Sequence, residues 1–139
     1  MELTIEKIQE CKELLLKDLC ARLPYGVKCE NHNHVYGKNI FKVTDIRDNG
    51  YICGIINNRN YWAVFDPLEL KPYLFPLSSM TEEQKKEFDI SMDMGYAAAY
   101  NAEINCANIM IDFFNKYHLD YRGLIPMGLA IDATGLNIY

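Results

Sequence analysis

The stretch that divides this chain into two unlike halves is LKPYLFPLSSMTEEQ, residues 70–84. Its prolines fix φ and disfavour a helix at the residues before them, so the segment should stay extended up to Ser78 and Ser79. Thr81 then lies three residues before Gln84, which is the spacing of a helix capping box. The stretch therefore predicts a joint between a strand-rich half before it and a helical half after it.

A helix is predicted ahead of the strands, from a cap at Thr4 to about Leu23. Its apolar residues recur at steps of three and four and form one wide stripe. The stripe consists of Ile5, Ile8, Cys11, Leu15, Leu16, Leu19 and Leu23. The charged residues, Asp18 among them, are expected on the opposite side, so one face of the helix should pack on a sheet.

The segment from about Val27 to Phe65 contains short runs of alternating apolar and polar residues, as antiparallel strands do. Asn49-Gly50 between two apolar runs is the strongest short signal for a hairpin, and a second turn is expected at 57–60. A meander of three or four strands is therefore predicted. Gly54 within a strand indicates a bulge or a strong bend, which leaves open a meander curled toward a small barrel.

The last part of the chain is predicted to be helical. A short charged helix is expected from Thr81 to Phe88, whereas residues 89–95 have no clear pattern. A long helix from Ala97 to Tyr117 carries two apolar faces, which predicts burial on more than one side or contact with a second copy of the chain. We therefore predict an α+β fold in one domain spanning 1–139, and a homo-oligomer.

Composition narrows the classes of function. With 14 basic and 19 acidic residues, the 139-residue chain has a formal net charge of −5, which argues against a nucleic-acid-binding face. Its five cysteines are widely spaced with no C-x-x-C pair, and the first residues lack the apolar run of a signal peptide. No segment approaches the ~20 apolar residues of a membrane span. A cytoplasmic protein without membrane contact is predicted.

No motif in the chain identifies a reaction, a cofactor or a metal. His32 and His34 would share one side of a strand, but no third ligand is spaced to complete a zinc site, so a polar loop is the simpler interpretation. Ser78 and Ser79 are better explained as turn or capping groups than as nucleophiles, because no G-x-S-x-G elbow surrounds them. Glycine-rich phosphate-binding loops are also absent from the sequence. We therefore expect neither enzymatic activity nor a cofactor.

One polar cluster, Asp120-Tyr121-Arg122-Gly123, follows a predicted helix end. Asp120 is expected to cap a final turn. Arg122 has two interpretations, because it could brace the corner by pairing with Asp120 or with helix carbonyls, or clamp an anion. The brace is favoured. The clamp would let Arg122 and neighbouring tyrosines sequester a small anionic metabolite or signalling nucleotide.

A third candidate feature is an exposed aromatic patch for a protein partner, formed by Tyr61, Trp62, Tyr73 and Phe75. An enzyme acting through Cys53 or His118 is the least favoured alternative. The candidate ligand- or partner-binding residues are Trp62, Lys71, Tyr73, Ser78, Ser79, Asp120, Tyr121 and Arg122.

The chain resembles a known group of proteins in three segments. These are LPYGV at 23–27, KPYLFPLSSMTEE at 71–83 and LDYRGLI at 119–125. In this order they resemble a family of short hypothetical proteins found in phages and mobile elements of gut bacteria. The resemblance covers most of the chain and carries over no activity and no catalytic residue. It implies a small accessory protein made inside an infected or lysogenic bacterium. The leading hypothesis is therefore a non-enzymatic binding protein that engages a host protein.

Overall fold

A computed structural model of the chain describes residues 4–31, 39–56, 62–102 and 106–139. The helices are α1 (Ile5–Arg22), α2 (Glu82–Ala102) and α3 (Cys106–Lys116). The strands are β1 (Lys28–Asn31), β2 (Asn39–Ile46), β3 (Ile52–Ile56), β4 (Trp62–Phe65), β5 (Leu70–Leu74) and β6 (Ile131–Asp132). An N-terminal helix, a mostly antiparallel sheet and C-terminal helices confirm the predicted α+β class.

Helix α1 begins where the sequence predicts. The Thr4 hydroxyl accepts a hydrogen bond from the Lys7 N–H at 3.1 Å, which satisfies one of the unpaired donors of the first turn. After α1, Gly26 adopts a left-handed φ of 70° and turns the chain into β1. Leu15 and Leu19 on the apolar stripe are fully buried, whereas Ile5 and Ile8 at its start are exposed, so only the second half of the predicted stripe packs on the core.

The six strands form one sheet in the order β4-β3-β2-β1-β5-β6, antiparallel except for the β5–β6 pair. The β2–β3 hairpin turns at the predicted position, where the Gly50 N–H donates to the Arg47 carbonyl at 2.8 Å. The register shifts between Val43 and Asp45, so the extra residue of the bulge is Thr44 on β2, whereas the sequence predicts a bulge or bend at Gly54 on the facing strand β3. Within the described residues the sheet is open and is not closed into a barrel, with β4 at one edge and β6 at the other.

Position 54 on β3 requires glycine because the neighbouring strand β2 approaches it closely. A Cβ at Gly54 would lie 2.1 Å from the Lys42 carbonyl oxygen and 2.5 Å from the Phe41 ring. The Phe41 and Phe65 rings pack edge to face at 5.0 Å on the side of the sheet that α1 covers. The core on this inner face consists of Leu19, Val27, Cys29, Phe41, Val43, Ile52, Ile56, Ala63, Phe65 and Leu70.

The helical half differs from the prediction. Helix α2 continues through 89–95, and the predicted long helix over 97–117 is divided between α2 and α3. The Phe88 ring of α2 lies against both Phe113 and Phe114 of α3, with centroid distances of 5.2 and 5.8 Å. Phe113 and Phe114 lie on different faces of α3 and both have a partner within the chain, whereas Ile111 remains 38% exposed. The contacts of these two aromatic residues therefore do not require a second copy.

The joint between the two halves is partly as predicted. The Thr81 hydroxyl accepts from the Gln84 N–H at 3.1 Å and the Gln84 side chain accepts from the Thr81 N–H at 3.0 Å, which confirms the capping box. The preceding segment is extended only as far as Pro76, and a single turn of 3-10 helix then covers Leu77–Ser79. The residues before this turn form β5, an inner strand that the sequence pattern does not predict.

Several predictions concern residues outside those described: the loop with His32 and His34, the turn at 57–60, and Tyr61. Among the helices that the structure describes, none has the length and apolar character needed to cross a bilayer.

Candidate functional site

The predicted polar cluster at 120–122 lies in the turn after α3. The Asp120 carboxylate accepts hydrogen bonds from the Leu124 and Ile125 N–H groups, both at 2.9 Å. The Asp120 N–H donates to the Phe75 carbonyl at 2.8 Å, which ties this turn to the chain that follows β5. Asp120 therefore caps and anchors the turn, and both of its carboxylate oxygens are engaged.

A buried ion pair on α1 forms hydrogen bonds with this turn. Asp18 and Arg22 are one helical turn apart and fully buried, and Arg22 Nε donates to Asp18 Oδ2 at 3.0 Å. Arg22 Nη2 also donates to the Leu119 carbonyl at 2.7 Å, and Nη1 lies 3.4 Å from the Phe114 carbonyl oxygen. Phe114 lies in the last turn of α3 and Leu119 in the chain just after it, so Arg22 joins α1 to the end of α3 and to the turn that follows.

Arg122 is the second cation at Asp18. Its Nη1 donates to Asp18 Oδ1 at 2.8 Å, and its side chain is 16% exposed. The Tyr121 ring lies near both guanidinium groups, with its centroid 4.5 Å from Arg122 Cζ and 5.3 Å from Arg22 Cζ. Two arginines therefore share one carboxylate and one aromatic ring, an arrangement that joins the turn to α1.

These contacts favour the brace interpretation of Arg122. Its partner is Asp18, 104 residues away in sequence, and not the neighbouring Asp120. The prediction that Asp18 lies on the solvent side of α1 is wrong, because the side chain is fully buried. The signal that could have found this pair is the i,i+4 spacing of Asp18 and Arg22 beside the buried Leu15 and Leu19.

Tyr139 occupies a gap between β1 and β5. The ladder pairs Cys29 with Pro72, and continuing it would pair Lys28 with Tyr73. The Tyr139 hydroxyl instead accepts from the Lys28 N–H at 3.0 Å and donates to the Tyr73 carbonyl at 2.9 Å. The phenol thus bridges the two strands, and burial raises its pKa well above the usual value.

His118 stacks on the ring of Tyr139, with centroids 3.9 Å apart and ring planes at 12°. Its φ of 55° is left-handed, which is uncommon for a non-glycine residue. Burial, together with the positive charges of Arg22 and Lys28, lowers the pKa of His118 to about 4. The imidazole is therefore neutral at pH 7, and its Nδ1 has no hydrogen-bond partner among the described residues.

The predicted aromatic patch is not assembled. Trp62 lies on β4 at one edge of the sheet, whereas Tyr73 lies on β5, with three strands between them. Tyr73 is buried, with its hydroxyl 3.4 Å from Glu30, and Phe75 lies against Tyr139 at 6.0 Å. Trp62, by contrast, is 62% exposed. The order of the strands separates these rings, and local sequence patterns do not give that order.

A row of side chains crosses the outer face of the sheet, the face opposite the α1-covered core. The register places Lys28, Lys42, Ile55 and Trp62 side by side on β1, β2, β3 and β4. Directly paired residues point to the same face of a sheet, so all four share the outer face. Lys28 is engaged, because its Nζ donates to the Ile138 carbonyl at 3.0 Å.

The outer patch consists of Lys42, Ile55, Trp62, Val64 and Lys71. Val64 shares the face of Trp62 on β4 and is 42% exposed, and Lys71 joins the same face through β5. Neither Lys42 nor Lys71 has an ion-pair partner among the described residues. The register also places two carboxylates on this face, Asp45 through Cys53 and Val64, and Glu30 beside Lys71. The patch is therefore apolar over β3 and β4, and its cations Lys42 and Lys71 lie over β2 and β5.

Ser79 lines a depression of about 250 Å³ between the start of α2 and the chain after β6. The Ser79 hydroxyl donates to the Pro76 carbonyl at 2.7 Å, in the turn role that the sequence predicts. Ser78 is exposed in the same turn and does not line the depression. The other lining residues, all uncharged, are Phe75, Thr81, Gln84, Leu119, Thr134 and Gly135.

Two further depressions carry charge, and carboxylates outnumber cations in both. One, of about 510 Å³ at the β2–β3 turn, is lined by Asp45, Arg47 and Asp48. The other, of about 250 Å³ between α2 and α3, combines two carboxylates with Lys116, whose Nζ donates to Glu87 at 2.7 Å. Arg122 lines none of these three depressions, so none of them brings it to an anionic ligand.

Within the described ranges, no three His, Cys, Asp or Glu side chains come close enough together to hold a metal ion. His118 lies beside β1 and β5, whereas Cys53 lies on β3, so the fold does not bring these two candidates together. Comparisons of the chain with protein-family models, with curated proteins and with solved structures found no match.

Proposed function

We propose that this chain is a non-enzymatic binding protein that engages a host protein through the outer patch. The observation that supports this most is Trp62, which is 62% exposed beside the exposed Val64. Phe41 and Phe65 on the inner face of the same sheet are fully buried, so exposure is not general among the aromatic residues of the sheet. Tryptophan is among the residues that contribute most to the free energy of protein–protein binding.

The lysines of the outer patch also support the proposal. Lys42 and Lys71 form no ion pair in the described part of the chain, although Glu30 is the strand neighbour of Lys71, whereas Lys12 and Lys116 each donate to a carboxylate at 2.7 Å. The chain as a whole carries a net charge of −5, so two unpaired lysines on one face form a local contrast. Such a contrast favours encounter with an acidic protein surface over other surfaces.

The resemblance of the phrases at 23–27, 71–83 and 119–125 supports the biological context. In that context the chain is an accessory protein of a phage or mobile element, acting in the bacterial cytoplasm on a host protein. Sequestration of a small anionic metabolite or nucleotide has less support. Arg122 already pairs with Asp18 at 2.8 Å, and the charged depressions carry an excess of carboxylates.

The predicted homo-oligomer remains a prediction with an intramolecular alternative, because Phe88 of α2 covers both Phe113 and Phe114 of α3. Light scattering of the purified chain tests it. A molar mass that is a multiple of 16.1 kDa supports the homo-oligomer, and a mass equal to 16.1 kDa contradicts it.

The host-protein proposal is tested by comparing two variants with equally exposed apolar side chains. Trp62→Ser removes the anchor of the outer patch, and Ile90→Ser removes a side chain that is 60% exposed on α2. Host proteins retained by the wild type are identified, produced in pure form, and their Kd is measured for all three chains. A partner lost with Trp62→Ser and kept with Ile90→Ser supports the proposal. Equal affinity of the three chains, or no retained protein, contradicts it.

A further inference from the structure

We propose that the segment of the partner that binds the outer patch is an acidic amphipathic helix lying across the strands. This inference rests on the proposed function and names the chemistry of the partner at the same surface. Ile55, Trp62 and Val64 make the β3–β4 end of the patch apolar, whereas Lys42 and Lys71 make the other end cationic. A complementary segment is therefore apolar over one end of the patch and acidic over the other.

The spacing of the strands sets the length of that segment. Trp62 and Lys42 lie in one row, two strands apart. Neighbouring strands are about 4.8 Å apart, so roughly 10 Å separates the two positions. A helix rises about 1.5 Å per residue and covers this distance in six or seven residues, close to two turns. An apolar residue and a carboxylate about seven positions apart share one helix face and reach Trp62 and Lys42 respectively.

An extended segment fits the row less well. Over roughly 10 Å it advances about three residues, and residues an odd number apart in a strand point to opposite sides. Its apolar side chain and its carboxylate would therefore not both face the patch. A strand added alongside the edge of β4 would contact Trp62 but would lie three strand spacings, about 14 Å, from Lys42.

The charges on the outer face identify Lys42 as the main cationic contact. Glu30 on β1 is the register partner of Lys71 and therefore offsets part of its charge. Asp45 lies on the same face of β2 but in the row of Val64, so Lys42 is the cation in the row of Trp62. Lys28 is held by the Ile138 carbonyl and by the Tyr139 ring, 5.8 Å from its Nζ. With Glu30 on the same face and a net charge of −5, a protein helix fits the surface better than a nucleic acid does.

Crosslinking at two positions of the full chain inside the host tests this inference. A photoreactive aromatic residue replaces Trp62 in one variant, and a photoreactive lysine analogue replaces Lys42 in another, so each keeps the chemistry of its position. The crosslinked sites are mapped by mass spectrometry. We expect both to fall on one segment rich in Asp and Glu, about six to eight residues apart, as two helical turns require.

Other kinds of partner on the outer patch would give crosslinked sites in different positions. Sites about three residues apart indicate a strand, and crosslinks to a basic segment, to a second copy of this chain or to a nucleic acid likewise overturn the acidic helix. A protein crosslinked from position 62 but not from position 42 overturns it as well. These outcomes leave the proposed function in place where a host protein is captured. No crosslink from either position overturns the proposed function together with this inference.

A charge reversal provides a second test on the partner so identified. Lys42→Glu should weaken its binding about tenfold or more, since it opposes the acidic end of the helix. Lys86→Glu makes the same change at an exposed position of α2 and should leave the Kd unchanged. Equal affinity of the Lys42→Glu variant and the wild type contradicts the acidic helix.

Discussion

Two regions of this molecule use positive charge in opposite ways. At the junction of α1 with the turn after α3, Arg22 and Arg122 share the carboxylate of Asp18, and Asp18 and Arg22 are fully buried. On the outer patch, Lys42 and Lys71 have no such partner among the described residues. Breaking a buried pair costs several kcal/mol, whereas changing an exposed charge costs little. The junction therefore supports stability, and the outer patch is available for binding.

The largest effect is expected when the junction loses its carboxylate. Asp18→Asn leaves Arg22 and Arg122 without a negative partner, and we expect it to lower the free energy of unfolding by about 3–5 kcal/mol. Urea denaturation followed by circular dichroism measures this. Glu82→Gln, which breaks the exposed pair with Lys85 on α2, is the matched control and should unfold close to the wild type. A wild-type midpoint for Asp18→Asn means that the junction is not a structural brace.

The second effect is a decrease of stability at low pH that is caused by the lowered pKa of His118. Its pKa is about 4 in the folded chain and 6.5 without the fold, so between these values the unfolded chain binds the proton and the folded chain does not. Stability should therefore fall as the pH is lowered from 6.5 to 4, by about 3 kcal/mol in all.

The His118→Asn variant isolates this contribution from the carboxylates that titrate in the same range. Asparagine tolerates the left-handed φ of this position better than most residues do. Urea midpoints at pH 7 and pH 4.5 should differ less for the variant than for the wild type. If both chains lose the same stability, His118 does not resist protonation in the fold.

The third effect tests the bridge between β1 and β5. Tyr139→Phe removes the hydroxyl and leaves the Lys28 N–H and the Tyr73 carbonyl unpaired, which should cost about 1–3 kcal/mol. Hydrogen exchange of the Lys28 amide should become faster. Tyr25→Phe is the control, because its hydroxyl has no partner among the described residues. Unchanged exchange at Lys28 would contradict the bridge.

The smallest effect on stability is expected at the outer patch. Trp62→Ser changes a side chain that lies largely in water, so the free energy of unfolding should shift by no more than about 0.5 kcal/mol. Its affinity for the partner should nevertheless fall by about tenfold or more, since exposed tryptophans at interfaces contribute strongly. A large loss of stability in this variant would place Trp62 with the structural residues of the junction and remove the contrast between the two regions.

Local features of this fold follow from the sequence because they depend on residues a few positions apart. The Thr4 cap, the turn at Asn49-Gly50 and the Thr81–Gln84 capping box are all of this kind. The predicted meander and the α+β class are also confirmed, since alternation and helical periodicity repeat over several residues.

Strand β5 shows why the wider topology could not be predicted. Pro72 argues against an inner strand, because it lacks an N–H for the ladder. The structure accommodates it because β6 pairs only with Tyr73 and Leu74, so β5 has an unpaired side at Pro72 within the described residues. The separation of Trp62 from Tyr73 has the same origin, since strand order is set by packing over the whole domain.

The junction could not be predicted because its partners lie far apart in sequence. Arg22 reaches carbonyls 92 and 97 residues further along the chain, and Asp18 receives Arg122 across 104 residues. No local pattern carries such a pairing. The Asp18–Arg22 pair is the one part of the junction with a local signal, its i,i+4 spacing, but that spacing alone does not distinguish a buried pair from a solvated one.

The late position of these acceptors has a consequence for synthesis on the ribosome. Helix α1 is made before the strands, but burying Arg22 requires the Phe114 and Leu119 carbonyls, which emerge about 90 to 100 residues later. We therefore expect Leu19 to pack on strands that have already emerged before the pairing of Asp18 and Arg22 with the later part of the chain is complete. A nascent chain that stalls before residue 114 would leave Arg22 without these two acceptors and Asp18 without Arg122, which makes the incomplete chain less stable than the complete one.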